Sequence, residues 1–309
     1  MNRHADKGVV LKLCAALLPG VAAMTWLWGW GVLWNAGFAV LFCYGVEVIC
    51  LTLRQQPLAL DFGTLFTGLL IAICLPPFMS LHALLLAALA AIGLAKHAYG
   101  GPGRHLFNPA MVGFAVVLVS FPEALSWPRA LSDIPEDMLL TGATLLSDFR
   151  YRSGMTGTEF ATTYAPLTSH QFWVAMAFAL GGAVLLGLRI IPWRLPAALA
   201  LGVALGALFG YDQGSSVGHG GWWFHMTQGG LMAAAFFVVT DPVTHPVGTR
   251  QQWLYGILIG LLIYLIRAYS AYPDGIAFAV LLANCATPLL DRASGKLTTV
   301  GTTTEAERS

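Results

Sequence analysis

The sequence predicts an all-α, polytopic membrane protein with about ten transmembrane helices arranged as two inverted five-helix repeats. Three observations carry that expectation. Only 10% of the 309 residues are charged, whereas soluble domains carry about 25%. Hydrophobic residues make up 57% of the chain, and the mean hydropathy is +0.70. Apolar runs recur along nearly the whole length, with short connections and one long polar interruption. A net charge of +1 excludes the basic footprint of a nucleic-acid binder.

A spanning helix needs about 20 apolar residues, and the runs fall at 9–28, 32–53, 62–78, 81–99 and 108–122, then at 171–190, 195–210, 228–240, 252–270 and 275–291. The first follows a basic start and resembles a signal peptide, but its apolar character continues past Ala22-Ala23, which predicts a retained helix. Several others are short or contain glycine and proline, so broken or tilted spans are expected. The organisation is then a first membrane repeat (1–122), an external loop (123–170), a second membrane repeat (171–291) and a cytoplasmic tail (292–309).

Orientation follows from lysine and arginine. With the N-terminus inside, the inner ends hold Arg3, Lys7, Lys12, Arg54, Lys96, Arg104, Arg189, Arg194, Arg250, Arg292, Lys296 and Arg308. The outer side keeps Arg129, Arg150, Arg152 and Arg267, which is four against twelve. Both termini are expected in the cytoplasm and the long loop outside. Trp26, Trp28, Trp30 and Trp34, and later Trp222 and Trp223, cluster where spans meet the outer interface, as amphipathic rings prefer.

The two halves share a pattern. Thr67-Gly68-Leu69-Leu70 leads to Leu75-Pro76-Pro77, a span and then Phe107-Asn108-Pro109; Gly229-Gly230-Leu231-Met232 leads to Thr240-Asp241-Pro242, a span and then Gly275-Ile276-Ala277. Five spans per half would invert one copy relative to the other. Such repeats with proline-interrupted segments are typical of folds that bind something near the bilayer centre. Two unrelated proline-ended helices would read the same way.

Within the long loop, Thr141-Gly142-Ala143-Thr144 is followed by Leu145-Leu146. Two small residues before Thr144 give a bulky partner access to its hydroxyl, and glycine permits a turn that presents it. Such a run also forms plain turns. The five cysteines, Cys14, Cys43, Cys50, Cys74 and Cys285, lie in apolar segments without CxxC spacing and read as buried hydrophobes rather than as metal ligands. Glu47 sits inside the second span, where a carboxylate is costly. It is expected to pair with a basic residue, to serve an ion path, or to reach cytoplasmic water. Asp274 beside Arg267 reads as an outer-surface ion pair or turn, and His97 and His105 as structural.

Several stretches together resemble one family, the RnfD and NqrB subunits of Rnf-type and sodium-pumping NADH:quinone-type membrane redox complexes. They are Asp61-Phe62-Gly63 through Thr67-Gly68-Leu69-Leu70 and Leu75-Pro76-Pro77; Gly100-Gly101-Pro102-Gly103-Arg104-His105-Leu106-Phe107-Asn108-Pro109-Ala110; Thr141-Gly142-Ala143-Thr144; Thr240-Asp241-Pro242-Val243-Thr244; and Tyr272-Pro273-Asp274-Gly275. The chain lacks the long N-terminal extension of the NqrB type, which makes RnfD the nearer resemblance.

The resemblance implies a multi-pass subunit of the bacterial inner membrane, in a complex that couples ferredoxin or NAD oxidoreduction to ion movement. It implies FMN held by a phosphoester on Thr144, on the periplasmic side, and installed by a separate flavin transferase. Here Thr141 stands where the family usually has serine, and Met138 stands where it has aspartate, with Asp137 one step back. The resemblance also implies a second, non-covalent flavin (riboflavin) on the inner side, where Thr67, Asn108, Asp241 and Arg250 are the candidates. The bland alternative is that Asn108 and Asp241 cap helix starts beside Pro109 and Pro242. The partners expected are the other subunits, the transferase and the lipid bilayer. A rival reading is a channel or secondary transporter with inverted repeats and no flavin; it would be colourless when purified.

Overall fold

The computed structural model describes residues 7–59, 61–125, 145–152, 154–212, 215, 219–270, 272 and 274–293. Thr141 and Thr144 lie outside the described residues. Among the described residues the secondary structure is helical, with four helices long and apolar enough to cross a membrane: Lys7–Trp28, Gly31–Leu53, Thr168–Gly187 and Thr249–Tyr269. The protein is a polytopic membrane protein.

The first half contains α1 (Lys7–Trp28), α2 (Gly31–Leu53), α3 (Phe62–Cys74), α4 (Leu81–His97) and α5 (Pro109–Ser120). Local chemistry places each boundary. Asp61 caps α3 by accepting from Gly63 N at 3.1 Å, and Asn108 caps α5 ahead of Pro109, accepting from Met111 N at 3.2 Å. The third span stops at Cys74, short of the expected 78, because Leu75-Pro76-Pro77 breaks it. Apolar surroundings cannot hydrate freed backbone groups, and buried Asn35 takes them instead. Its Nδ2 donates to Pro76 O at 2.7 Å, and its Oδ1 accepts from Met79 N at 3.0 Å. The last turns of α4, from Leu89 to His97, widen to π-helical geometry.

The loop 123–170 is not uniformly irregular. It contains α6 (Leu145–Arg150), α7 (Gly157–Thr163) and the first turns of α8 (Ala165–Gly187). Thr156 and Glu159 close a capping box on α7, and those hydrogen bonds from Thr156 hold the Glu159 carboxyl below its ordinary range. Phe149 of α6 packs on Phe160 of α7 at 5.1 Å and on Phe224 at 4.2 Å between ring centroids. That aromatic contact docks the connection onto the second half.

The second half continues with α9 (Arg194–Gly210), α10 (Trp222–Thr227), α11 (Leu231–Ala233, running on through π turns to Val238), α12 (Thr249–Tyr269) and α13 (Ile276–Ala293). The expected span 228–240 is thus corrected: it begins at Trp222 and is broken at Gln228-Gly229-Gly230. Gly229 sits at φ +74°, a left-handed conformation that stops α10. Its amide donates to Gln171 Oε1 at 3.1 Å, and that of Gly230 to Asp274 Oδ2 at 3.4 Å. The tightest pair is α9 with α12, whose backbones touch at glycine. A Cβ on Gly202 would strike Ile257 O, and one on Gly260 would strike Leu199 O.

Because successive helices alternate in direction, Arg54, Arg104, Arg189, Arg194, Arg250 and Arg292 gather at one end of the helices, here the basic end. The stretch holding α6 and α7 covers the far end.

Candidate functional site

Three groups of polar residues interrupt the apolar interior. The first is at the far end. Leu145, Leu146 and Phe149 are buried, so the apolar pair after Thr144 anchors α6 against the helix ends. Leu146 reaches the break in the eighth span: a Cβ added at Gly229 would lie 2.8 Å from Leu146 Cδ1 and 3.0 Å from Arg267 Nη2. Arg267 is buried; Nη2 donates to Asp274 Oδ1 at 3.0 Å and Nη1 to His225 O at 2.8 Å. The expected ion pair is therefore present, with its cation enclosed rather than on the surface. Arg150 of α6 donates through Nη1 to Arg267 O at 3.2 Å. Arg152 donates to Phe149 O, Met155 O and Ser215 O, at 2.7, 2.9 and 3.0 Å, tying two far-end connections together. Burial, then the charges of Arg152 and Arg150, hold the His219 imidazole below its ordinary range.

The second group is at the basic end, where α5, α11, α12 and α13 meet. Asn108 Nδ2 donates to Asp241 Oδ2 at 3.2 Å, and Asn108 N to Asn284 Oδ1 at 3.0 Å. Asn284 Nδ2 in turn donates to Tyr255 OH at 2.7 Å. Asp241 Oδ1 accepts from Val243 N at 3.0 Å, and His105 Nε2 lies 3.8 Å from Asp241 Oδ2. Two of the four candidates, Asn108 and Asp241, are therefore brought together across the two halves. The other two are not. Thr67 is buried and turned onto its own helix, donating to Gly63 O at 2.9 Å, while Arg250 is exposed on the first turn of α12. The cap expected at Asn108 forms, whereas Asp241 begins a turn, because no helix starts until Thr249; the polar atoms of both side chains have protein partners. Among the described residues of this group, the buried side-chain atoms without one are Gln252 Oε1, His105 Nδ1 and Thr244 Oγ1.

The third group lies between α2, α3 and α4. Lys96 Nζ is 2.7 Å from Glu47 Oε1, 2.9 Å from Asp61 Oδ2 and 2.6 Å from Thr64 Oγ1. Glu47 is 1% exposed, so it pairs with a basic residue and does not reach water. Two carboxylates share one ammonium here. Glu47 Oε2 is buried without a hydrogen-bond partner, and His97 Nε2 is 3.8 Å from Glu47 Oε1.

Sequence reasoning missed Asn284, Tyr255 and Lys96 as site residues. Asn284 and Lys96 had a readable signal, since each is a polar group inside an apolar run that must find a partner. Tyr255 had none, because a tyrosine near a span end is ordinary at an interface.

Similarity to known proteins runs along almost the whole chain. The family described as NQR2, RnfD, RnfE matches residues 2–298. A protein of Cellvibrio japonicus (strain Ueda107), the D subunit of an ion-translocating oxidoreductase complex, is 39% identical, over 92% of this chain and 88% of that protein. Its counterpart of the same name in Ectopseudomonas mendocina (strain ymp) is 38% identical, over 92% and 88%. The one from Aeromonas salmonicida (strain A449) is 36% identical, over 94% and 93%. A match of this length, with the Asn108 and Asp241 motifs meeting in space, leads to one conclusion: the chain belongs to the NQR2, RnfD, RnfE family.

Proposed function

We propose that this chain is the flavin-carrying D subunit of an ion-translocating ferredoxin/NAD oxidoreductase complex, part of an oxidoreductase rather than an enzyme by itself. In this reading it carries FMN on Thr144 through a phosphoester made by a flavin transferase, and the other subunits supply the electron donors and acceptors. The group would contribute one-electron redox chemistry, while the protein sets its position and potential. The observation that carries the reading is the anchoring of the residues next to Thr144. Leu145 and Leu146 are buried, and Leu146 Cδ1 meets the Arg267–Asp274 ion pair over Gly229. An ester to phosphate needs only a hydroxyl. The test is the Thr144→Val variant taken up in the Discussion.

The proposed location is the bacterial inner membrane, with both termini cytoplasmic and Thr144 on the periplasmic side. Thr158 is exposed at the far end and Thr249 at the basic end. In a cysteine-free background, Thr158→Cys is expected to react with an impermeant maleimide in intact cells, and Thr249→Cys only after lysis. The reverse pattern would place the flavin threonine in the cytoplasm.

A second flavin, riboflavin held without a covalent bond, is proposed at the basic end. Asn108 and Asp241 shape that site, and Gln252 Oε1, His105 Nδ1 and Thr244 Oγ1 are the atoms left to meet the polar edge of a ring. Asn108→Leu and Asp241→Leu are each expected to reduce acid-extractable flavin several-fold while covalent flavin stays on the protein. Gln252→Met, which removes no cap, is expected to do the same. Unchanged extractable flavin in all three folded variants would leave Asn108 as a helix cap and Asp241 as a turn residue.

A further inference from the structure

We propose that the starts of α9 and α12 form a binding site for an anionic phospholipid, with arginines for its phosphate and leucine stripes for its acyl chains. The inference is independent of which flavins the chain carries. The charge comes from side chains. Arg194 and Arg250 stand in the first turns of α9 and α12, and Arg189 is exposed in the turn before α9. Among the described residues, none of the three guanidinium groups has a carboxylate partner. Arg150, Arg152 and Arg267, by contrast, all donate to protein oxygens.

Two tryptophans mark the depth of this patch. Trp193 and Trp253 meet edge to face at 5.9 Å, Arg194 lies over the Trp193 ring, and Trp193 is 58% exposed. Tryptophan favours the boundary between headgroups and acyl chains, so the arginines stand at the level of the lipid phosphates. The backbone adds to the charge. α9 and α12 are parallel neighbours: Gly256 lies against Leu195 O, Gly260 against Leu199 O and Gly206 against Tyr264. Antiparallel neighbours oppose their dipoles, whereas here two positive helix ends stand side by side. Neither end has a side-chain cap or an acidic residue in its first turn.

Deeper in the membrane, each arginine heads an apolar stripe. Helical spacing places Leu201, Leu205 and Leu208 on the face of Arg194, and Leu254 and Leu265 on the face of Arg250. All five are exposed. With the glycine faces of two parallel helices turned to each other, both stripes come out on the same side of the pair. Guanidinium groups match phosphate oxygens through paired donors. Clustered basic residues at a membrane surface favour a headgroup with net negative charge over a zwitterion. A soluble anion would leave the leucines unused, and an acidic loop has nothing to set against them.

The test uses the intact complex, purified in detergent, stripped of lipid and given equal amounts of phosphatidylglycerol and phosphatidylcholine. Native mass spectrometry counts the lipids retained and the subunits present. Wild type is compared with Arg194→Gln/Arg250→Gln and with Lys12→Gln/Arg104→Gln, which removes two exposed cations from the first half at the same end.

The Arg194→Gln/Arg250→Gln complex is expected to lose a bound phosphatidylglycerol while keeping its phosphatidylcholine count and all its subunits. The Lys12→Gln/Arg104→Gln complex should retain lipid as wild type does, and excess inorganic phosphate should not displace it. Both arginines sit at helix starts without a carboxylate partner, so the fold should survive. Should the double variant fail to insert, Arg250→Gln alone must show a weaker preference for phosphatidylglycerol. Unchanged lipid counts, or equal losses in both double variants, would overturn the proposal. Displacement by inorganic phosphate would leave a small-anion site instead. Loss of a subunit at an unchanged lipid count would assign the arginines to a protein partner, and either outcome overturns the lipid site.

Discussion

Thr144→Val is expected to give a stable, inserted protein with no in-gel flavin fluorescence, in a complex that no longer transfers electrons through it. Valine keeps the shape of threonine and removes the hydroxyl oxygen, which is the only atom a phosphoester requires. The fold should tolerate the change, because the residues that anchor this stretch are Leu145, Leu146 and Phe149, and none of them is altered. Thr141 also carries a hydroxyl, but Leu139 and Leu140 precede it, where Thr144 has glycine and alanine. A transferase meets less crowding at Thr144, so Thr141→Val is expected to retain covalent flavin. Fluorescence that persists in Thr144→Val and vanishes in Thr141→Val would identify the other threonine as the attachment point.

The second large effect is expected at Lys96. Its ammonium is the cation bonded to Glu47, a carboxylate 1% exposed among α2, α3 and α4. Lys96→Met leaves that carboxylate enclosed with no counter-charge. Breaking a buried pair by removing one partner costs about 3–5 kcal/mol, a large share of the roughly 5–15 kcal/mol that holds a typical domain folded. A sharply lower thermal midpoint in detergent and a lower yield of inserted protein are expected. The double variant Lys96→Met with Glu47→Gln removes both charges and should recover most of the loss. Asp61 matters less because it is 30% exposed and can be solvated. A Lys96→Met protein as stable as wild type would show that the pair carries no such burden.

The helical plan was legible because membrane spans impose a simple constraint: an apolar run must be long enough, and its ends are marked by proline, glycine and charge. The first, second, fourth, fifth, seventh, ninth and tenth runs match the helices to within about three residues at either end, as close as helix boundaries are ever assigned. The misjudged runs were the third and eighth, where the chain breaks, and the sixth, whose helix α8 starts early at Ala165. A break is stable only if a side chain elsewhere satisfies it. Asn35 does so for Leu75-Pro76-Pro77, and Gln171 and Asp274 for Gly229-Gly230. Those partners are 41 to 58 residues away, beyond any local pattern.

The candidate sites were legible for the same reason in part. Asn108 and Asp241 each stand beside a proline, and the cap that Asn108 forms follows from that neighbour, whereas Asp241 begins a turn instead of a helix. That they meet each other, 133 residues apart, follows from no such neighbour. Thr67 and Arg250 carry polar groups at the same end, but the helix directions that bring them there say nothing about where each side chain turns. Thr67 turns to its own backbone, and Arg250 turns outward. Glu47 and Lys96 illustrate the converse. Each alone looks misplaced in an apolar run, and only the packing of α4 on α2 makes them a pair.

The most direct test of covalent flavin on Thr144 is the mass of one peptide. Trypsin should release 130–150 from the purified complex, between Arg129 and Arg150. The expected mass is that of the peptide plus FMN less one water, with fragmentation locating the increment on Thr144. An unmodified 130–150 from a complex that transfers electrons at full rate would contradict the account.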